Sequence, residues 1–265
     1  MGQEPKEGDV IAVWFSCGAA SAVALKLTVE RYGTLCQVRA VNNPVIEEDA
    51  DNRRFLSDVA DWVGIEIEQA TNSKFPNASA VEVWDRERGM SFPFGAPCTR
   101  ALKKQARQQW EATNKPDWHV LGFTRDEKGR HERFVLTERP NVLPILIDGG
   151  LSKEDCFQII REAGLRLPAV YERGYPNANC IGCVKAASPT YWNHVRELDP
   201  EVFAARAEQS RRLGVRLAKV KGQRVFLDEL SPDAVGRPLK SMKAVECGLF
   251  CEEPAAPVRA ERIAA

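Results

Sequence analysis

The sequence predicts an α/β protein: a parallel sheet flanked by helices, followed by a smaller, mainly helical region rich in cysteine. Three observations predict it. Short apolar runs alternate with helical patterns through roughly the first 150 positions, the order that right-handed β-α-β units produce. The opening run, VIAVWF, is apolar on both faces, as a strand in the middle of a parallel sheet must be. After Gly149-Gly150 the alternation stops and Cys, Pro and Asn accumulate.

The elements follow in order. Val10–Phe15, bounded by Gly8 and Ser16-Cys17-Gly18, reads as a doubly buried strand. Ser21–Tyr32 carries apolar residues at helical spacing and stops at Gly33. Gln37–Val41 is expected to be the second strand, Asp49–Val63 a helix, Ile65–Ala70 the third strand and Thr99–Glu111 a helix. Trp118–Phe123 and Val142–Ile147 are expected to add two strands, with ligands at the carboxyl ends of the sheet. Beyond residue 150, Ser152 suits the N-cap of a helix over 153–164, with Asp155 three residues on. An irregular LPAVYERGYPNANCIGC leads to helices at 189–198 and 200–213, and RLAKV-KG-QRVFL reads as a short hairpin. The expected organisation is a nucleotide-type α/β domain over 1–150, a Cys-rich helical region over 151–251 that completes the site, and a flexible tail over 252–265.

Composition narrows the function. Lys and Arg total 37 and Asp and Glu total 37, so no global field draws the chain onto nucleic acid or an anionic membrane. The residues before the first apolar run are acidic, and no stretch approaches the roughly eighteen apolar residues of a membrane span. A cytoplasmic protein without membrane contact is the expectation. In a reducing compartment eight cysteines point to metal or redox chemistry rather than a disulfide frame. There is no HExxH motif and no Ser-His-Asp spacing, and His119 and His194 fall inside a strand and a helix, as structural histidines do.

Two motifs carry chemistry. The first is Ser16-Cys17-Gly18-Ala19-Ala20-Ser21, at the mouth of the first strand where a helix begins. Small residues let the backbone approach a ligand, amides at a helix N-terminus attract an anion, and the hydroxyls of Ser16 and Ser21 add donors. A ligand-free βα turn has the same local pattern. The loop is neither a Walker A loop nor a GxGxxG. Asn42 and Asn43, after the second strand, are candidates to hydrogen-bond adenine or ribose, or are turn formers. Arg125, after the fourth strand, is a candidate to hold phosphate or sulfate bidentately, beside a basic run of Arg130, His131 and Arg133.

The second motif is the cysteine constellation. Cys180-Ile-Gly-Cys183 is a CxxC whose glycine allows a tight turn, suited to Zn²⁺, an iron–sulfur cluster or a redox dithiol. Cys98, in GAPCTRALKKQ, is expected at a helix start, where the helix dipole and Arg100, Lys103 and Lys104 favour its thiolate. Glu246-Cys247-Gly248-Leu249-Phe250-Cys251 supplies two more thiols. Cys36 and Cys156 read as buried hydrophobes and Cys17 as a small loop filler.

These residues resemble the pyrophosphatase-loop (PP-loop) superfamily of adenine-nucleotide α-hydrolases, whose loop has the form Ser-Gly-Gly-x-Asp-Ser. Ser16, Gly18 and Ser21 match it, Cys17 replaces the first Gly and Ala20 the Asp. Within the superfamily the chain is most similar to the phosphoadenosine phosphosulfate reductases, whose Glu-Cys-Gly-Leu/Ile-His motif is matched by Glu246, Cys247, Gly248 and Leu249, with Phe250 in place of His. The resemblance implies a Rossmann-like (adenine-nucleotide α-hydrolase-like) fold and nucleotide contacts from Ser16, Gly18, Ala19, Ser21, Asn42 and Arg125. It implies Cys247 as nucleophile, and a four-iron four-sulfur (4Fe-4S) cluster, or alternatively Zn, on Cys98, Cys180 and Cys183 with Cys251 as the fourth ligand; Pro97 replaces one member of the family's cysteine pair. The implied substrate is an adenylyl sulfate, with a thioredoxin-like reductant as partner. Two other readings stay open. One is an ATP- and Mg²⁺-using sulfurtransferase on tRNA or DNA, with Arg196, Arg206, Arg211 and Arg212 as its nucleic-acid face. The other is a Zn-stapled nucleotide-binding module without catalysis.

Overall fold

The structure, a computed structural model, describes residues 4–92 and 95–239. Five parallel strands form its sheet: β1 (Val10–Phe15), β2 (Gln37–Asn42), β3 (Ile67–Gln69), β4 (Trp118–Val120) and β5 (Val142–Leu143), in the order β3-β2-β1-β4-β5. The chain winds outward from β1 to β3 and then crosses to the other side of β1, so the switch point lies between β1 and β4. Alternate residues of β1 enter different cores. Ile11, Val13 and Phe15 pack under α1 (Ala19–Tyr32) and α2 (Asp51–Val63), while Ala12 and Trp14 face the opposite layer. Both faces of the sheet are therefore covered, which accounts for the unbroken apolar run. The result is a Rossmann-like α/β fold.

Helices α3 (Ala80–Glu87), α4 (Ala106–Asn114) and α5 (Lys128–Thr137) follow; α3 and α5 lie outside the elements expected from sequence. Ser79 caps α3 by accepting from the Glu82 amide at 3.2 Å, a local signal legible as Ser-x-x-Glu. The helix expected over Thr99–Glu111 exists, but Thr99–Gln105 is wound as a π-helix before α4. The apolar run Val142–Ile147 divides: β5 ends at Leu143, and Ile145–Asp148 turns into α6. Pro144 at the junction has no N–H to give to the ladder.

The second half contains α7 (Lys153–Glu162), α8 (Ala169–Glu172), α9 (Pro189–Leu198), α10 (Pro200–Arg212) and the hairpin β6 (Ala218–Val220)–β7 (Gln223–Val225). Ser152 caps α7 as expected: its Oγ accepts from the Asp155 amide, and Asp155 accepts from the Ser152 amide at 2.7 Å. A third apolar core joins the two halves of the chain, packing Trp84 and Leu102 with Val184, Trp192 and Leu217. No helix among the described residues is long and apolar enough to cross a membrane.

Candidate functional site

Where β1 ends, Cys17 takes φ +56 and Gly18 becomes the N-cap of α1 with no side-chain cap. Ser21 closes the loop from within the helix. Its Oγ donates to the Gly18 carbonyl at 2.9 Å and accepts from the Ser16 amide at 3.1 Å, and Ser16 Oγ is 3.1 Å away. With the Ser21 proton directed at Gly18, Ser16 must donate in the hydroxyl pair. The first amides of α1 have no intrahelical acceptor and face outward at the positive end of the helix dipole.

These amides form one wall of a 130 Å³ cleft between β1 and β4, at the switch point. Gly122, just past β4, forms the opposite wall. A Cβ there would stand 2.8 Å from the Ser21 amide nitrogen and 3.0 Å from the Ala20 carbonyl carbon, so only glycine allows this approach. Two cations line the cleft. Arg130 pairs with Glu127 at 2.6 Å, its guanidinium 5.2 Å above the Phe123 ring. Lys153, the first residue of α7, reaches over Tyr171 to donate to the Pro176 carbonyl at 2.6 Å and to Asn177 Oδ1 at 2.7 Å. Asn177, Ala178 and Asn179 complete the wall, and the next residue is Cys180.

A second cavity, of 650 Å³, opens at the carboxyl ends of β1, β2 and β3, beside Cys17, Asn42, Glu48, Asn52 and Thr71. The Asn42 amide donates to the Phe15 carbonyl at 2.8 Å, and Asn43 donates to the Ala70 carbonyl at 2.8 Å, so these amide nitrogens fasten strand ends together. Asn52 Oδ1 is buried with no partner among the described residues. Glu48 pairs with the buried Lys103 at 2.9 Å, and Lys103 also donates to the Asn43 carbonyl at 2.9 Å. Burial, and secondarily Glu48, raise the Cys17 thiol far above its ordinary range. It is a neutral filler under the cradle.

Cys98, Cys180 and Cys183 all belong to or pack against the third core. Cys180 and Cys183 belong to one CxxC turn, and Gly182 within it lies against Arg206, a Cβ there standing 3.6 Å from Arg206 Nε. The Cys183 amide donates to the Tyr191 hydroxyl at 2.9 Å, and Gly182 takes φ +68 to turn the CxxC. Among the described residues no group of three or more His, Cys, Asp or Glu is arranged to hold a metal ion. Cys247 and Cys251 lie outside the described residues. The buried Arg206 beside the CxxC turn has an Nε with no partner among the described residues. Cys36 and Cys156 are buried hydrophobes, as expected.

Ser16, Gly18 and Ser21 thus line one cleft, with Ala19 buried directly beneath, whereas Asn42 borders the second cavity. Arg125 is not in the cleft: it donates to the Gly150 carbonyl at 3.1 Å and lies near Asp126 and Asp155. Its backbone amide, bonded to Leu151, starts a helical turn that brings Arg130 into that role instead. Lys153 was missed because it is distant in sequence and its only local signal is the helix cap before it. Of the four arginines considered as a nucleic-acid face, Arg206 is buried and Arg211 and Arg212 are exposed. Arg196 donates to the Leu230 carbonyl at 2.7 Å, Arg211 pairs with Asp228 and Glu229, and Arg212 with Asp85. His119 is buried in β4, and burial together with Arg139 and Arg107 lowers its pKa to about 3, so it is neutral. No protein-family model matches the chain, and no curated protein matches it.

Proposed function

We propose that the chain is a phosphoadenosine phosphosulfate reductase-like iron–sulfur enzyme of the PP-loop class, with an adenine-nucleotide α-hydrolase-like fold and a Cys-rich C-terminal region. The observation that carries this reading is a shared wall: the segment 177–179 that closes the anion cleft runs directly into Cys180-x-x-Cys183. An anion site and a thiol group are thereby one residue apart along the chain.

In this reading the α1 amides, Ser16 and Lys153 hold the sulfate and phosphate of an adenylyl sulfate, and the larger cavity takes the nucleoside, with Asn52 Oδ1 as an acceptor for its amino group. The Cys247 thiolate attacks sulfur, the S–O bond to the nucleotide breaks, and the nucleotide leaves with the electron pair. Arg130 and Lys153 stabilise the charge developing on its phosphate. A second thiol, from a thioredoxin-like reductant, then attacks the thiosulfonate, forming a disulfide and releasing sulfite. Cys98, Cys180 and Cys183, with Cys251 as fourth ligand, would hold a 4Fe-4S cluster, which would supply one-electron redox chemistry when bound.

The test is to incubate anaerobically purified protein with adenylyl sulfates and thioredoxin, and separately with ATP and bulk tRNA or DNA. Sulfite release that is lost in Cys247→Ser, from protein carrying about four irons, is expected. Sulfite release surviving Cys247→Ser overturns the mechanism. Pyrophosphate release dependent on nucleic acid replaces it with the sulfurtransferase, and one zinc without iron or turnover replaces it with the stapled module.

A further inference from the structure

We propose that the hairpin β6–β7 docks on duplex DNA, holding its phosphate backbone without reading its sequence. This surface is separate from the cleft and the cysteines, and the proposal does not rest on the function proposed for them.

The hairpin and its flanks, 214–227, carry Arg216, Lys219, Lys221 and Arg224 and no Asp or Glu, in a chain whose charges balance at 37 and 37. All four cations are exposed, and none forms an ion pair among the described residues. Arg224 donates to a neutral group, the Leu217 carbonyl, at 2.9 Å. The next carboxylates along the chain, Asp228 and Glu229, are taken by Arg211 at 2.7 and 3.0 Å. Ala218 is buried, and Val220 and Val225 pack against the third core. Lys219 and Arg224 alternate with these residues along the strands and so face outward.

Two features set charge against local stability. Lys219 and Arg224 are direct partners across the ladder. The Lys219 amide donates away from β7, to the Ala187 carbonyl at 2.8 Å, so the pair is of the closely spaced kind, with Cα atoms about 4.5 Å apart. Like charges so placed repel. At the tip Lys221 takes φ +47 beside Gly222 at φ +89, a position that two-residue turns give to Asn, Asp or Gly. A bound polyanion relieves the repulsion and gives the cation at the tip a partner.

Three properties select duplex DNA. Protein surfaces intersperse both signs of charge, whereas a nucleic-acid backbone is anionic at every repeat and matches a ribbon that carries cations alone. The aromatic ring of the hairpin, Phe226, is buried beneath Arg211 and Arg216 at 3.8 and 4.7 Å, so the bases of a single strand find no stacking platform on it. A two-stranded ribbon fits the major groove of B-DNA and not the deep, narrow major groove of A-form RNA. From there the Lys and Arg side chains reach phosphates, contacts that position a protein without specifying sequence.

The experiment titrates a fluorescently labelled DNA duplex of arbitrary sequence with the full chain, reading anisotropy between about 50 and about 200 mM NaCl. Wild type is compared with Lys219→Ala combined with Arg224→Ala, and with Lys221→Asn. Each phosphate contact contributes about 0.9 to the fall of log affinity with log salt, so the double variant should lose about 1.8 of wild-type slope and Lys221→Asn about 0.9. The double variant should also bind at least about tenfold more weakly at the low-salt end. Both should melt at or above wild type, because one removes a repulsion and the other suits the turn, which separates lost contacts from lost folding. Variants that keep the wild-type slope and affinity, or a wild type that leaves the duplex free at about 50 mM salt, overturn the proposal. Single-stranded DNA or duplex RNA bound as tightly as duplex DNA overturns the choice of partner. Poly-L-glutamate that displaces the duplex at equal charge overturns it as well, and makes the hairpin a dock for an acidic protein.

Discussion

Replacing Gly122 by Ala adds one methyl group where the end of β4 meets the first turn of α1. The three nearest atoms, at 2.8, 3.0 and 3.1 Å, are all backbone atoms of Ala20 and Ser21, so no side chain can rotate away. Either β4 or the helix start must move by several tenths of an ångström. Overpacking of this kind costs about 1–3 kcal/mol. With an unfolding entropy of about 2.1 cal/mol/K per residue over 265 residues, the melting midpoint should fall by about 2–5 °C. The displaced atoms carry the cradle amides, so under the proposed function affinity for an adenylyl sulfate should fall at least tenfold, about 1.4 kcal/mol. Scanning calorimetry and titration calorimetry read the two effects separately. Gly129→Ala is the control: it lies in α5 with nothing within 4 Å of the added carbon, and should be neutral or stabilising by up to about 1 kcal/mol. A Gly122→Ala protein that melts with wild type refutes the close approach. One that melts lower but binds the nucleotide equally well refutes the cradle as the anion site.

At Cys17, φ +56 tolerates glycine and penalises branching, so Cys17→Gly should change stability by under about 1 kcal/mol while Cys17→Val costs over about 2; equal urea midpoints for the two would contradict the left-handed geometry. Asp51, whose carboxyl is brought down to about 2 by Arg54 and then by the Ala169 amide, ties α2 to α8. Because the folded value lies below the unfolded one, its contribution of about 2 kcal/mol is present above about pH 4 and lost on descending through about pH 2. Asp51→Asn should therefore be destabilised at pH 7 and converge with wild type in acid, and a pH-independent gap between them would count against the ion pair. His119 has the opposite consequence: with a folded pKa near 3 the unfolded chain takes up a proton first, so stability declines as pH falls from about 6.5 towards 3. His119→Gln should flatten that slope in urea titrations, and an unchanged slope would mean that the ring is charged in the native state.

Much of this architecture was legible because its signals are local. The doubly buried apolar run of β1, the Ser152–Asp155 box and the Lys221-Gly222 hairpin turn each need only a few consecutive residues. What escaped depends on partners distant in sequence. The π-helix at Thr99–Gln105 has no composition of its own; its buried Lys103 reaches Asn43 and Glu48, some fifty-five to sixty positions upstream. The strand expected through Ile147 stops at Leu143, since a short apolar run serves a buried helical turn as well as a strand. Within the site, small residues and hydroxyls announced the cradle from Ser16 to Ser21. The cations did not announce themselves, because Arg125 and Arg130 stand on successive turns of one segment and only the packing of Phe123 selects Arg130 for the cleft.

The amino end of α1 stands between the two cavities, with Gly18 on the cleft side and Cys17 on the other. Under the proposed reading a nucleotide spanning both must cross the backbone at these two residues, which explains why this stretch of chain carries no bulky side chain. The enclosed volumes then assign the halves: 130 Å³ accommodates a sulfate or phosphate, and 650 Å³ falls in the range of ligand-sized pockets and suits a nucleoside. Charge supports the same division. The small cleft is lined by Lys153, Arg130 and a helix N-terminus with the carboxylate of Glu127, while the larger cavity is lined by amides together with Glu48 paired to Lys103, Asp49 paired to Arg173, and Arg53. Ala20, at the position where the loop that this sequence resembles has Asp, adds no carboxylate to the cleft, and Lys153 and Arg130 line it. Under the proposed reading, these cations hold the sulfate and phosphate of a sulfated nucleotide. Competition between adenylyl sulfate and ATP at equal concentration should therefore favour the sulfate, and a preference for ATP would reverse the assignment of the cleft.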